Sequence, residues 1–253
     1  MAAWIQDSLV DCADKYPQRN MHDDSVLLGR IGDLDRQDHL RKGRLIMNNR
    51  IRGPVGSLQR DMQARAILTR NKILEESAAV FDAHGYTALT VNALAAATGI
   101  SKGAVYFHFS SKEAIARQLV DDWNDIVQQT ITTVVSRRTP RPVEQIDGAF
   151  SILARLVADR TTLRAGMKLI LDPAVDDGYD FGRWVESVDG LVDSAIAAGE
   201  LTDTYATRRL AWNLCAGTIG TAHATTALRE DVDFTIRIGD MVAAHLNNAR
   251  ATS

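Results

Sequence analysis

The 253 residues carry 29 Lys and Arg against 32 Asp and Glu, a formal charge of −3, with 45% hydrophobic residues. That length can bury a core in one large or two small domains, and no apolar run approaches the roughly 18 residues of a membrane span. Cys12 and Cys215 are too few and too far apart for a disulfide framework or a zinc site, which points to a reducing cytoplasm.

The N-terminus has neither the basic nor the apolar segment of a secretion signal. Residues 1–60 lack steady periodicity and hold several glycines, so they read as a loosely ordered, basic extension with one short helix near Ile5–Ala13. Met62 is an alternative natural start. The charge is uneven: residues 40–72 hold nine Lys and Arg against Asp61 alone, a local +8, which leaves −11 on the rest. Such a basic segment suits a phosphate-facing end, and an N-terminal arm of this kind can lie in a minor groove.

From residue 62 the pattern is helical. Ile73, Leu74, Ala78 and Phe81 make one apolar stripe, which Gly85 ends. Thr90 caps a short helix, Gly99-Ile100-Ser101 forms a tight turn, and Lys102–Phe109 makes a second short helix. Ser110 is expected to cap the long helix that follows and runs to about Val135. Beyond Pro142 the pattern stays helical, with breaks near Arg160-Thr161, Asp172-Pro173, Gly199 and Arg229-Asp231. No segment alternates with period two. The expected fold is all-α.

Residues 90–109 have the layout of a helix-turn-helix. Leu94, Ala95, Ile100, Val105 and Phe109 are its internal contacts, with Phe107 expected to meet the first helix. Gly103 and Ala104 are small enough to let the second helix enter a major groove. Lys102 can reach a base edge or phosphate. Thr90, Tyr106 and Lys112 suit phosphate oxygens, and Ser101 and His108 complete the expected DNA-binding set. Tyr106 as a plain surface aromatic and Lys112 as a solvated lysine are the bland alternatives.

Residues 69–118 resemble the TetR-type regulators, through Phe81, Gly85-Tyr86, Thr90-Val91 and the run Gly99-Ile100-Ser101-Lys102-Gly103-Ala104-Val105-Tyr106-Phe107-His108-Phe109 with Lys112-Glu113. The resemblance implies a three-helix DNA-binding domain at 67–127 and a larger helical effector-binding and dimerisation domain at 128–253. It also implies a homodimer on a palindromic duplex operator and a transcriptional repressor released by a small effector, without a cofactor. Arg164-Ala165-Gly166-Met167-Lys168-Leu169, Phe181-Gly182 with Trp184, and Gly199-Glu200-Leu201 are similar to the γ-butyrolactone receptor subgroup of actinomycetes. That subgroup implies a tryptophan where Phe181 stands. A γ-butyrolactone, a butenolide, an unrelated apolar molecule, or a ligand-independent regulator all remain open.

Large residues on several helices supply an apolar pocket independently of that likeness: Trp123, Val127, Phe150, Met167, Phe181 and Trp184, with Trp212 nearby in pattern. Thr130 and Thr218 are expected to line it, and Gln128, Thr221 and His223 could add polar groups. Plain core is the alternative for any one of them. The small residues Ala216, Gly217, Gly220 and Ala222, within 210–227, together with 234–246, suit a dimer interface. Catalysis is not expected: His22, His39, His84, His108, His223 and His245 lack metal spacing, and no phosphate loop or nucleophile elbow is present.

Overall fold

The computed structural model describes residues 54–136, 141–175, 178–228 and 233–250. The N-terminal extension to residue 53, the short helix expected near Ile5–Ala13 and the break near Arg229-Asp231 lie outside the described residues. Helix α1 spans Pro54–His84, followed by a 3-10 turn at Tyr86–Ala88. Next come α2 (Val91–Thr98), α3 (Lys102–His108) and α4 (Lys112–Val135). Then follow α5 (Pro142–Asp159), α6 (Thr161–Leu169), α7 (Tyr179–Ala197), a 3-10 turn at Thr207–Arg209, α8 (Leu210–Leu228) and α9 (Phe234–Ala249). No strand occurs among the described residues; an isolated bridge joins Leu201 to Arg250.

Helix starts and stops follow local chemistry. Thr90, Ser101 and Ser111 each accept, on the side-chain oxygen, the N–H of the residue three further on, at 3.1, 3.2 and 3.2 Å. Each bond satisfies a donor that the first turn leaves without a partner. Ser111 caps α4, not the expected Ser110. It lies in extended conformation beside the first helical residue, where its oxygen reaches the Ala114 N–H. Gly85 ends α1 with φ 79° and donates to the Phe81 carbonyl at 3.0 Å. Gly99 ends α2 with φ 68°, a left-handed conformation that strains any residue with a Cβ. Helix α1 starts at Pro54, before the stretch where apolar periodicity becomes steady. Proline suits a first helical turn because its missing N–H has no partner there anyway.

The apolar stripe of α1 is buried as expected, with Ile73, Leu74, Ala78 and Phe81 at 7% exposure or less. It packs on α2, α3, α4 and α6. Along α4, Ile115, Leu119, Trp123, Ile126, Val127, Thr130 and Val134 recur at three- and four-residue steps and are all buried. This single face passes from the helix-turn-helix into the second half of the molecule. Helix α6 touches α1, α4, α5 and α8, so this nine-residue element sits at the centre of the molecule. Gly166 sets its position, because a Cβ there would overlap the Leu119 carbonyl and stand 3.2 Å from Trp123 Cβ. Helices α8 and α9 pack against each other, and Gly217 makes room for Met241.

Candidate DNA interface and effector core

The residues expected to face DNA converge on one edge. Ser101, Lys102, Gly103, Tyr106 and Phe107 are exposed along α3, and Thr90 is exposed at the start of α2. Ala104 and His108 are half-buried. Val105 and Phe109 point inward, as their four-residue spacing predicts, and Leu94 beneath them is 2% exposed. Arg70 of α1 holds the far end of this unit. Its guanidinium lies 4.9 Å from the centre of the Phe109 ring and donates to Gln118 Oε1 at 2.6 Å. Lys72 donates to the Thr98 carbonyl at 2.8 Å and so closes the C-terminus of α2.

Phe107 corrects the sequence expectation. It does not meet α1; its side chain is 81% exposed and touches the His108 ring edge to face at 5.2 Å. Val105 and Phe109 already occupy the inward positions of this short helix, so Phe107 falls on the outer face with Tyr106. Exposing a phenylalanine of this size is unfavourable unless another surface covers it. Sequence reasoning missed it because it counted aromatics as core.

Lys112 is also more engaged than expected. Its ammonium lies 4.0 Å from the Tyr86 ring centre and donates to the Tyr86 carbonyl at 3.3 Å. Tyr86 stacks on Phe81 and donates its hydroxyl to Glu113 Oε1 at 2.7 Å. That bond, followed by backbone and Ser111 hydrogen bonds, pulls the Glu113 carboxyl down to about 2. Burial first, and then the Glu113 bond, push the Tyr86 hydroxyl above its ordinary range. The turn into the helix-turn-helix is thereby tied to the start of α4.

In the second half, Trp123, Trp184 and Phe150 meet. The two indoles pack edge to face at 5.0 Å, and Phe150 lies 6.2 Å from Trp184. All three are at most 1% exposed, as are Val127 and Met167. Neither indole N–H has an acceptor among the described residues, and the buried Thr130 hydroxyl and Gln129 carbonyl oxygen also lack partners. A buried polar group without a partner costs about 1–3 kcal/mol, so the two indole N–H groups inside this aromatic cluster mark a place suited to a ligand with polar atoms.

Not every predicted pocket residue joins that cluster. Phe181 is half-buried and packs edge to face on Trp212 at 6.2 Å, and Trp212 is 56% exposed. The buried tryptophan of this segment is Trp184, about one turn on from Phe181. Thr218 is buried, but its hydroxyl donates to the Leu214 carbonyl at 2.8 Å. Thr221 likewise donates to Gly217 at 2.8 Å. Gln128 is exposed and donates to Ser187, and His223 is exposed on α8.

Sequence reasoning also missed a buried ionic cluster between the two halves. Lys168, with its side chain 4% exposed, donates to Asp82 Oδ1 at 2.7 Å, to the Asp82 carbonyl at 3.1 Å and to Thr226 Oγ1 at 2.8 Å. Arg164 Nε donates to the other Asp82 oxygen at 3.0 Å. The signal was available: Lys168 is the one charged residue in the otherwise apolar run of residues 165–171. Among the described residues no group of three His, Cys, Asp or Glu stands together as a metal site. No helix there is long and apolar enough to cross a membrane.

Residues 73–119, from α1 into α4, match the bacterial regulatory proteins, tetR family. The A-factor receptor protein of Streptomyces griseus is 29% identical over 140 residues, which cover 55% of this chain and 48% of that protein. The chain thus spans about half the length of the curated relatives it matches first. Among solved structures, the tetR regulator tylp of Streptomyces fradiae is 27% identical with a TM-score of 0.54, over 74% of this chain and 89% of that one. A γ-butyrolactone receptor is 23% identical with a TM-score of 0.59, over 73% of this chain and 100% of that one, and shares the fold. The helix-turn-helix lies at the residues matched to the tetR family of bacterial regulatory proteins, and the all-helical second half agrees with the fold of these solved structures.

Proposed function

We propose that the chain is a homodimeric transcriptional repressor that binds a palindromic duplex operator through α2 and α3 and leaves it when a small neutral effector enters the aromatic core. The observation that carries this is the exposed face of α3, where Lys102, Gly103, Tyr106 and Phe107 stand outward from a helix anchored by Val105 and Phe109. Lys102 serves a base edge or phosphate, Gly103 and Ala104 allow close approach, and Phe107 suits a thymine methyl or a sugar face. Thr90, Ser101, Tyr106, His108 and Lys112 position the helix on phosphates. Two copies related by a two-fold axis place their α3 helices about 34–36 Å apart, one turn of duplex. The outward face of α8, with Trp212, Gly220, Ala224 and Leu228 exposed, supports pairing with the same face of a second copy.

For the effector, Trp123, Val127, Phe150, Met167 and Trp184 supply the apolar walls, and the partnerless indole N–H groups and Thr130 supply the polar contacts. An acyl γ-butyrolactone offers ester oxygens for those donors and a chain for the walls. The likeness to an A-factor receptor favours that class. Selection of operator from a pool of promoter fragments, followed by titration of the complex with a synthetic acyl γ-butyrolactone, tests the proposal. Dissociation of the complex is expected; a complex indifferent to lactone leaves a ligand-independent regulator, and failure to select any duplex rejects DNA binding altogether.

A further inference from the structure

We infer that Asp82, Lys168 and Arg164 form a charged joint that carries displacement of α6 into the DNA-reading half. The inference rests on the effector-released repression proposed above and names the residues through which it acts. Lys168 has three N–H donors, and its three bonds go to Asp82 Oδ1, the Asp82 carbonyl and Thr226 Oγ1. A buried ammonium with all its bonds made cannot exchange partners with water, so its position fixes that of Asp82. Arg164 takes the remaining Asp82 oxygen and also donates to the Val157 carbonyl at the end of α5. One carboxylate of α1 is thus gripped by two cations of α6, and one of these reaches α8.

Both ends of the joint matter. Asp82 stands in the last turn of α1, three residues before Gly85 and four before Tyr86. Tyr86 is locked to Lys112 and Glu113, so a rotation at Asp82 reaches the helix-turn-helix entry directly. At the other end, Met167 precedes Lys168 and is fully buried, and Gly166 presses the α6 backbone against Leu119 beside Trp123. That contact has no slack. A molecule wedged against Trp123 or Met167 moves α6 as a unit, and α6 carries the two cations with it.

The test does not depend on knowing the effector. Gly166→Ala forces α6 away from Leu119 and imitates a wedge, because the new Cβ overlaps a backbone carbonyl. The paired change Asp82→Asn with Lys168→Met removes the buried Asp82–Lys168 pair, and Arg164, the more exposed of the two cations, keeps its bonds to the Val157 and Ala158 carbonyls. Operator affinity is measured for the full-length chain, for each variant and for their combination, with thermal unfolding confirming a folded state. Gly166→Ala is expected to weaken operator binding at least about tenfold in the parent chain and less than about threefold once the joint is gone. Equal losses in both backgrounds overturn the joint. Should Gly166→Ala not fold, Ala165→Val, an overpacking change at a fully buried position of the same helix, takes its place under the same criterion.

A second arm uses a synthetic acyl γ-butyrolactone and follows Trp123 and Trp184 fluorescence. Unchanged half-saturation with a lost operator response in the paired variant supports the joint, and a full operator response overturns it. A parent chain that binds operator but ignores lactone counts against the effector class alone, and the cycle with Gly166→Ala still decides the joint.

Discussion

Trp123 and Trp184 meet edge to face with ring centres 5.0 Å apart, and both keep a buried indole N–H without an acceptor. Edge-to-face packing is favourable by about 0.5–1.5 kcal/mol beyond area burial, so the pair is a stable wall. Its two orphaned donors are the costly part. Trp184→Phe removes one of them while keeping an aromatic wall. It is expected to weaken acyl γ-butyrolactone binding about five- to tenfold, the value of one hydrogen bond of about 1 kcal/mol. Titration calorimetry checks this, and operator affinity without lactone should stay unchanged.

Gly103 separates stability from DNA binding. Nothing lies within 4 Å of a Cβ placed there, and the residue is exposed inside α3. Gly103→Ala should therefore stabilise the fold by about 0.5–1 kcal/mol through helix propensity. On a domain of this size that raises Tm by about 2–4 °C. In the proposed complex the same methyl stands where the helix approaches the groove, so operator affinity should fall. Thermal unfolding and fluorescence anisotropy on one preparation check both signs.

Gly99 behaves in the opposite way. Its φ of 68° is costly for alanine by about 1–2 kcal/mol, although the space for a Cβ is open. Gly99→Ala should lower Tm and loosen the turn between α2 and α3, read as faster amide exchange at residues 100–109.

The Tyr86–Glu113 bond predicts a defined acid response. The Glu113 carboxyl has an ordinary value of 4.5 and is held at about 2 in the fold. A lowered carboxyl contributes stability that is complete above pH 4.5 and is lost as pH falls from 4.5 to 2. Burial, followed by the Glu113 bond, raises the Tyr86 hydroxyl, so the unfolded chain ionises first and stability also falls above pH 10. Tyr86→Phe should flatten both limbs in a series of thermal unfolding scans, with the acid limb the more accessible.

Much of this was legible in the sequence where the chemistry is local. Thr90, Gly85 and Gly99 act through their own turns, and the helix-turn-helix boundaries follow from them. The breaks at Arg160, near Pro173 and at Gly199 were readable for the same reason. What escaped was tertiary. Lys168 is partnered 86 residues away by Asp82, and Gly166 is required by the backbone of Leu119, contacts that no local periodicity encodes. Phe107 misled because hydrophobicity alone does not say whether a residue faces a core or a partner. Trp123, Trp184, Phe150 and Met167, expected as one apolar set, are all buried, whereas Phe181 and Trp212 form a separate, partly exposed pair.

The most direct measurement is the affinity of the full-length chain and of the double variant Lys102→Ala/Tyr106→Ala for a selected operator duplex, across a series of salt concentrations. With α3 in the major groove, the variant binds at least about thirtyfold more weakly, and its dependence of log affinity on log salt is shallower by about one counterion, the one that Lys102 releases. Equal affinity and equal salt slope in the two proteins would show that this face of α3 does not touch the duplex.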